Sequence, residues 1–308
     1  MNTQTQILQG KIAVITGAGR GIGKAMALYM AKAGAKVVVN DLGGDTDGSG
    51  ESKVADQVVA EIKQAGGEAV ANYDSVATMD GGQSLIQTAL DHFGGLDILV
   101  NNAGILRDRT IFKMTEADWD AVLDVHLKGH FSCCQPFARY IRETQRDNCR
   151  IINFSSVSGL MGNFGQANYA AAKAGIAGLS RVLSLELKKY NCTVNTISPG
   201  AATRMTIPLY EARGVKMDPD SPTAGPQQIA PVVAWLASEK ASDFTGQIIH
   251  AARGTVSIMQ QPAFIRTFEN DDLWSQEQLD DVMPQLLDAK LSLDELTKEK
   301  ATPEKVSG

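Results

Sequence analysis

Soft metal ligands are scarce in this chain of 308 residues, which contains four cysteines and four histidines. The cysteines are Cys133, Cys134, Cys149 and Cys192, and no two of them form a C-x-x-C pair. We therefore predict no zinc site and no other metal site. A disulfide framework is equally unsupported, so the cysteines fit a reducing cytoplasm.

Long hydrophobic runs are also missing. No stretch approaches the ~20 consecutive apolar residues that a membrane span requires. The first six residues have neither a basic region nor an apolar core, so we expect no secretory signal peptide. Positive charge is not in excess, because the formal net charge is −6. We expect neither nucleic acid nor an anionic membrane to be the main partner.

The chain instead alternates short apolar runs with longer amphipathic segments. The runs are rich in β-branched residues and bounded by polar ones, which is typical of buried parallel strands. They cover residues 11–16, 36–40, 96–100, 150–154 and 193–197, with 247–250 as a further candidate. This alternation predicts an α/β fold in which helices cover both faces of a doubly wound parallel sheet, the Rossmann fold.

Two segments depart from the alternation. Residues 43–51 are glycine-rich and acidic, which predicts a loop insertion after the second strand. Beyond about residue 256 the strands stop, and residues 276–293 and 294–300 have the polar, amphipathic pattern of helices. We predict one domain over residues 7–255 and an appended segment over residues 256–308 that is helical or partly disordered.

A glycine-rich turn, TGAGRGIG over residues 16–23, separates the first strand from a predicted helix. Glycines let the backbone approach a pyrophosphate closely, and a helix N-terminus offers free N–H groups with positive partial charge. We predict that the turn binds a dinucleotide through Gly17, Arg20, Gly21, Ile22 and Gly23. The alternative is a turn that only caps a helix.

An acidic residue, Asp41, follows the second strand about 20 residues after the glycines. A carboxylate there accepts hydrogen bonds from ribose hydroxyls and repels a 2′-phosphate, which favours NAD over NADP. Arg20 favours NADP instead, since an arginine in the glycine turn suits a 2′-phosphate. A simpler interpretation of Asp41 is that it only begins a turn.

Tyr169 and Lys173 are four residues apart in a predicted helix of small residues, so both side chains lie on one face. A phenol with its ordinary pKa of about 10 is a poor acid or base at neutral pH. A neighbouring ammonium favours the phenolate and lowers that pKa. Ser156 follows a predicted strand, where α/β sheets carry their ligands, and its hydroxyl is suited to bind a substrate oxygen.

With these motifs the chain resembles the short-chain dehydrogenase/reductase family. The resemblance implies that Tyr169 is the acid/base, Lys173 the ribose anchor and Ser156 the partner of the substrate oxygen. It further implies that NAD is held by Asn101, Asn102, Ala103, Gly104, Asp74, Ser75, Pro199, Gly200 and Thr203, besides Tyr169 and Lys173.

One position departs from the family pattern. Where the family usually has an asparagine that completes a proton relay to Lys173, the chain has His126. A lone histidine on an apolar helix is more often a core residue. The resemblance adds the alternative that His126 holds the relay water in place of the asparagine, as a fourth catalytic residue.

Longer runs narrow the resemblance within the family. Residues 37–45, 69–76, 101–109 and 162–169 resemble the (3R)-hydroxyacyl-CoA dehydrogenase units of type 2 peroxisomal multifunctional enzymes. This implies that a (3R)-3-hydroxyacyl-CoA is oxidised to the 3-ketoacyl-CoA while NAD is reduced. The residues show no confined basic cluster for the coenzyme A phosphates, so the acyl-CoA substrate is implied by the resemblance alone.

The substrate loop is predicted over residues 204–228, because this segment contains several apolar residues and prolines. Its composition suits an acyl chain and a sterol equally well, and a plain surface loop is a third alternative. A hydroxysteroid dehydrogenase, acting on a sterol or a sterol side-chain CoA ester, is therefore an alternative function. A ketoreductase and a non-catalytic NAD(H) sensor are two more. The family resemblance implies a homodimer or a homotetramer.

Overall fold

The structure is a computed structural model that describes residues 6–50, 52–211 and 214–287. The chain divides into two compact units, Met1–Met259 and Gln260–Gly308. The first unit contains all the strands of the described residues. It also contains every residue predicted to bind cofactor or substrate.

An eight-stranded sheet forms the centre of the first unit. Its strands are β1 Ile12–Thr16, β2 Lys36–Asn40, β3 Ala69–Asn72, β4 Ile98–Asn101, β5 Arg150–Phe154, β6 Thr193–Gly200, β7 Ile248–Ala252 and β8 Thr255–Met259. They lie in the order 3-2-1-4-5-6-7-8 and all pair in parallel except β8, which is antiparallel to β7. The predicted doubly wound parallel sheet is confirmed.

Two strands, β3 and β8, were not predicted. The run Ala-Val-Ala-Asn of β3 has only one β-branched residue, so composition does not separate it from a loop. Strand β8 is an edge strand with largely exposed residues, and it lacks the apolar run of a buried strand. Because β8 belongs to the sheet, the sheet extends past the predicted domain limit at residue 255.

Helices cover both faces of the sheet. They are α1 Gly21–Lys32, α2 Val54–Gln64, α3 Met79–Phe93, α4 Glu116–Leu123, α5 Gly129–Thr144, α6 Val157–Met161, α7 Ala167–Glu186, α8 Ile207–Glu211 and α9 Ile229–Ala237. A π-helical turn, Asp124–Lys128, joins α4 to α5. Neighbouring residues of β1 face opposite sides: Ile15 packs with α1, α2 and α9, and Val14 packs with α3, α5 and α7.

The strand order reverses between β1 and β4, which are neighbours in the sheet. The chain leaves β1 toward one side of the sheet and later continues from β4 toward the other. A crevice opens beyond the carboxyl ends of the strands at such a point, and ligands bind there in open α/β sheets. Most of the predicted site residues end or follow the six strands from β1 to β6 at this edge.

The second unit contains α10, Gln276–Leu287, which lies within the predicted helix of residues 276–293. Ser275 begins it, with its hydroxyl accepting a hydrogen bond from the Gln278 N–H at 3.2 Å. The predicted helix at residues 294–300 lies outside the described residues. Over the parts of the chain that the structure describes, no helix is long and apolar enough to cross a membrane.

Candidate active site

The glycine turn has the backbone conformation that its sequence predicts. Gly17 and Gly21 have φ angles of +64° and +52°, a region that favours glycine. A Cβ on Gly17 would lie 2.8 Å from the Cα of Ala103, so a larger residue would displace the loop after β4. Asn102 fixes that loop, since its Nδ2 donates to the carbonyls of Thr16 at 3.0 Å and Gly17 at 3.1 Å.

The start of helix α1 faces the same crevice. Its N-cap, Arg20, makes no side-chain capping hydrogen bond within the described residues, so the first N–H groups remain available for an anion. The Arg20 guanidinium lies on the insertion instead. It donates to the Gly44 carbonyl at 2.8 Å and to the Ser52 hydroxyl at 3.1 Å.

Asp41 links the glycine turn to the insertion. One carboxylate oxygen accepts from the Gly19 N–H at 2.8 Å, and the other accepts from the Gly43 N–H at 2.7 Å. The second contact is an Asx-turn, so Asp41 does begin a turn and at the same time faces the glycine turn. Each oxygen keeps acceptor capacity for a ribose hydroxyl.

Asp74 is held beside the end of β2. Its carboxylate accepts from Asn72 Nδ2 at 2.9 Å and from the Ser84 hydroxyl at 2.6 Å. Its carbonyl accepts from Asn40 Nδ2 at 2.9 Å. The hydroxyl of the neighbouring Ser75 accepts from the Ala77 N–H at 3.3 Å. The predicted contacts of these two residues with the cofactor remain a prediction.

Asn101 points into the protein. Its side chain is 1% exposed, and its Nδ2 donates to Asn153 Oδ1 at 2.9 Å and to Cys134 Sγ at 3.2 Å. The side chain therefore joins β4 to β5, and the cofactor contact that the resemblance implied for Asn101 remains a prediction. Strand pleating explains why this side chain points inward, because successive side chains alternate between the two faces of a sheet.

The loop after β6 completes the crevice. Pro199 and Gly200 end β6, and the Gly200 carbonyl accepts from Gln228 Nε2 at 3.1 Å. Thr203 lies over the glycine turn, since a Cβ on Gly21 would be 3.7 Å from its methyl carbon. The Thr203 N–H donates to the Thr206 hydroxyl at 2.9 Å.

Ser156, Tyr169 and Lys173 come together beyond β5. Ser156 is the N-cap of α6, and the other two lie one turn apart on α7. Lys173 is 3% exposed, and its Nζ donates to the Phe154 carbonyl at 2.5 Å and lies 5.5 Å from the centre of the Tyr169 ring. The structure thus juxtaposes the three residues that the sequence singled out.

Burial controls the proton affinities of this group. It raises the pKa of Tyr169 to about 12, while a hydrogen bond with Ser156 acts in the opposite direction. It lowers the pKa of Lys173 to about 7. The sequence predicted that a charged Lys173 would lower the phenol pKa, and the direction here is the reverse. The desolvated lysine is only partly charged at neutral pH, so it cannot offset the burial of the phenol.

His126 lies in the π-helical turn and is 1% exposed. Its Nε2 is 2.9 Å from the Ile105 carbonyl oxygen, and its ring packs edge to face on Tyr169 with a centroid distance of 5.1 Å. The Ile105 N–H also donates to Nε2 at 3.2 Å, so Nε2 has a partner in either neutral tautomer. Among the described residues Nδ1 has no hydrogen-bond partner. Burial lowers the His126 pKa well below its ordinary value, so the ring is neutral.

A cavity of about 470 Å³ lies between the insertion, the loop after β4 and the predicted substrate loop. It is lined by Thr46, Asp47, Leu106, Arg107, Asp108, Arg109, Asp118, Arg204, Met205 and Pro208. Asp108 accepts from Gln166 Nε2 at 2.7 Å, which connects the cavity to the start of α7. Burial raises the Asp108 pKa, and its Oδ1 has no partner in the described parts of the chain.

The insertion and the predicted substrate loop both contribute to this cavity. Arg204 pairs with Asp45 at 2.9 Å, and Arg107 Nε donates to the Asp47 carbonyl at 2.9 Å. Sequence reasoning missed this set of three arginines and treated the insertion only as a loop. Arg204 is far from Arg107 and Arg109 in the sequence, so only the fold brings them together.

Comparison with known proteins assigns the family. The family model described as short chain dehydrogenase matches residues 11–214, and the chain belongs to this family. The crystal structure of a short chain dehydrogenase from Mycobacterium avium is 43% identical in sequence. It superposes with a TM-score of 0.82, covering 93% of this chain and 97% of that chain. The recognition from sequence is confirmed, and the chain is an enzyme of a family that uses NAD or NADP.

Two relatives are similar over most of this chain. The peroxisomal multifunctional enzyme type 2 of Drosophila melanogaster is 50% identical over 246 residues, which are 80% of this chain and 39% of that protein. This chain therefore matches about two fifths of that enzyme. A hydroxyacyl-CoA dehydrogenase of Mycobacterium tuberculosis is 40% identical over 279 residues, covering 87% of this chain and 86% of that protein.

Proposed function

We propose that this enzyme oxidises a secondary alcohol with NAD, and that its substrate is a (3R)-3-hydroxyacyl-CoA. The observation that carries the proposal is the juxtaposition of Ser156, Tyr169 and Lys173 beside the glycine turn at one edge of the sheet. Such a set offers an acid/base, a cation and a hydroxyl next to a dinucleotide groove.

The groove fits NAD. The free N–H groups at the start of α1 suit a pyrophosphate, and Gly17 lets the backbone approach it. Asp41 would hold the ribose hydroxyls, while Asn102, Pro199, Gly200 and Thr203 would line the nicotinamide half. The negative charge of Asp41 opposes a 2′-phosphate, and the Arg20 guanidinium is engaged by the insertion. When bound, NAD supplies the hydride acceptor.

Tyr169 takes the proton of the substrate hydroxyl in this proposal. Ser156 donates a hydrogen bond to the same oxygen and orients it toward Tyr169. Lys173, held by the Phe154 carbonyl, anchors the ribose and stabilises the phenolate once it is charged. The unpartnered Nδ1 of His126 is the atom at which a water would join this group, which is how His126 would take the place of the family's asparagine.

The cavity favours a CoA thioester. Leu106, Met205 and Pro208 offer apolar contact for the pantetheine and acyl chain, and Arg107, Arg109 and Arg204 offer donors for phosphates. Asp47, Asp108 and Asp118 also line it, so each arginine contributes modestly. The name of the Mycobacterium tuberculosis relative agrees with a hydroxyacyl-CoA substrate. We further propose a cytoplasmic homodimer or homotetramer that requires neither metal nor nucleic acid.

The test is the rate of NADH formation with (3R)-3-hydroxyacyl-CoA, its (3S) isomer and a 17β-hydroxysteroid. Turnover of the (3R) thioester alone supports the proposal. Turnover of the steroid alone would assign the chain to the hydroxysteroid dehydrogenases. No turnover of any of the three would overturn the substrate assignment.

A second substrate pair tests the arginines. Arg109→Ala should raise KM for the CoA thioester about 3- to 10-fold, since a partly exposed charge contributes about 1 kcal/mol. It should leave the N-acetylcysteamine thioester, which lacks phosphates, unchanged. Arg142→Ala, an exposed arginine on α5, is the control. An equal effect of Arg109→Ala on both thioesters would contradict a phosphate contact.

A further inference from the structure

His130 is a buried histidine that the reaction described above does not use. It is the second residue of α5 and is 2% exposed. Its Nδ1 is 2.6 Å from the His126 carbonyl oxygen, and its Nε2 is 3.3 Å from the Phe154 nitrogen. A carbonyl only accepts and a peptide N–H only donates, so the ring carries its hydrogen on Nδ1.

The His130 ring keeps this neutral tautomer because its pKa is lowered. Burial is the main cause that lowers the His130 pKa to about 3, and the nearby charge of Lys173 acts in the same direction. The other titratable group beside it is His126, which is also neutral. The ring is therefore a fixed donor and a fixed acceptor over the whole working pH range.

The His130 ring fixes the backbone of Phe154 by a hydrogen bond. The peptide N–H of Phe154 donates to His130, and its carbonyl accepts from Lys173 Nζ at 2.5 Å. Phe154 is the last residue of β5, where the strand opens into the site. Phe154 thus bonds to His130 through its N–H group and to Lys173 through its carbonyl. A shift of the His130 ring would therefore also shift the carbonyl that holds Lys173.

The same ring also saturates the carbonyl of the π-helical turn. The His126 carbonyl accepts from the Gly129 N–H as well as from His130 Nδ1. A carbonyl oxygen has two lone pairs, so this one has no capacity for a further water. Among the described residues, Nδ1 is then the atom of the His126 ring that lacks a partner, and the ring packs edge to face on Tyr169.

We infer that His130 is a positioning residue: it holds the Phe154 carbonyl that binds Lys173 and the π-helical turn that carries His126. It touches neither substrate nor cofactor in this role. The inference rests on the proposed function for its kinetic consequence, and on geometry alone for the tautomer and the contacts. Misplacement of a group by about 1 Å can lower a rate by about 100-fold.

The kinetic test compares two nearly isosteric changes. His130→Gln keeps one donor and one acceptor, and His130→Met removes both. We expect kcat to fall about 10- to 100-fold in His130→Met, with KM within about threefold and the alkaline limb of the pH–rate profile displaced. His130→Gln should recover most of kcat. Ser132→Ala, which removes a buried hydroxyl from the same helix, should change neither kcat nor the pH profile.

An unchanged kcat and pH profile in His130→Met would overturn the inference, and so would equal losses in the Gln and Met variants. A second measurement needs no variant. Nitrogen NMR of the histidine-labelled wild-type protein should show that the His130 ring is neutral, carries its hydrogen on Nδ1 and does not titrate around the ordinary pKa of about 6.5. An Nε2–H or a titrating His130 ring would overturn the inference even if His130→Met does not fold. If the wild type oxidises no substrate, the proposed function fails while the NMR result still decides the geometry.

Discussion

The two halves of the crevice differ in how completely their polar groups are paired. At the glycine-turn end, both Asp41 oxygens accept backbone N–H groups, and Asn102 bonds two carbonyls. At the Tyr169 end, the buried His126 Nδ1 and Asp108 Oδ1 lack partners among the described residues, and Lys173 is a buried amine. The side chains of the first half are paired before any ligand binds, although the first N–H groups of α1 are free there, whereas the second half keeps unpaired side-chain atoms.

This difference suits the glycine-turn end to binding the cofactor and the Tyr169 end to catalysis. A satisfied groove keeps its shape and binds a cofactor with little rearrangement, whereas buried, poorly solvated groups have shifted pKa values and reactive protons. Unsatisfied groups cost stability, and proteins retain them mainly where function requires them. Substitutions at the two ends should therefore have different consequences.

The largest effect should come from Tyr169→Phe, which removes the acid/base and leaves the ring in place. We expect kcat to fall about 10²- to 10⁴-fold, the usual contribution of a positioned acid/base. The affinity for NADH, measured by fluorescence titration, should change little because the glycine-turn end is intact. Tyr190→Phe, at a distant 3₁₀ turn, is the control. Retention of wild-type kcat would exclude Tyr169 as the base and would suit a non-catalytic sensor.

Wild-type activity should also depend on pH through Tyr169. Its folded-state pKa of about 12 lies above neutrality, so the fraction of phenolate increases as the pH rises. We expect kcat/KM for alcohol oxidation to increase from neutral to alkaline pH. The measurement is a pH–rate profile under NAD saturation. A rate that declines over this range, in a protein that stays folded, would contradict the assignment.

Lys173→Met should lower kcat nearly as much and should stabilise the protein. Methionine fills the buried space without the cost of burying an amine, so we expect the free energy of unfolding to rise by about 1–3 kcal/mol at neutral pH. Thermal and denaturant unfolding measure the gain. A destabilised Lys173→Met would show that the hydrogen bond to Phe154 outweighs the cost of burial.

The same lysine predicts how wild-type stability depends on pH. Its pKa is about 7 in the folded state and 10.5 ordinarily, so the unfolded chain binds more protons between these values. Stability from this group is fully present above 10.5 and is lost as the pH falls through 7. The free energy of unfolding of Lys173→Met should therefore depend less on pH between 7 and 10.5, because the variant lacks this titrating group. Identical slopes for the two proteins would contradict a depressed lysine pKa.

Asp41→Asn should give a smaller effect, mainly on cofactor choice. The amide oxygen keeps one of the two backbone N–H contacts, and the side chain no longer repels a 2′-phosphate, so the NAD to NADP ratio of kcat/KM should drop about 10- to 100-fold. Asp45→Asn, an acidic residue of the same insertion that pairs with Arg204, should leave the ratio unchanged. Equal shifts in both variants would mean that overall charge, and not ribose contact, sets the preference.

Arg20→Ala should have the smallest effect. The guanidinium binds the insertion at a partly exposed position, so kcat/KM for NAD should change less than about threefold. The measurement is the same NADH assay at limiting NAD. A loss of tenfold or more would show that the side chain contacts the cofactor and that the insertion does not retain it.

Local patterns explain why much of the fold and site could be predicted. The glycine turn, the Tyr169–Lys173 spacing and most of the strands depend on residues close in sequence, where periodicity and conformational preference act. Contacts between distant segments carry no such signal. Assembly of the sheet determines four features that the sequence did not predict. They are the grouping of the cavity arginines, the burial of the Asn101 side chain, strand β8 and the hydrogen bond between His130 and Phe154.

The pKa directions could not be predicted for the same reason. The sequence places Lys173 beside Tyr169, but it does not show that both are desolvated. Burial reverses the expected sign for the phenol. Predicting a site's members from sequence is therefore easier than predicting their protonation.

The most direct test of the account follows the hydride. Wild-type enzyme is mixed with NAD and a (3R)-3-hydroxyacyl-CoA that carries deuterium at C3, and the NADH formed is analysed by mass spectrometry. The account predicts that the NADH gains the deuterium and that the Tyr169→Phe enzyme forms it far more slowly. NADH without deuterium, or no NADH from this substrate, would contradict the proposed reaction.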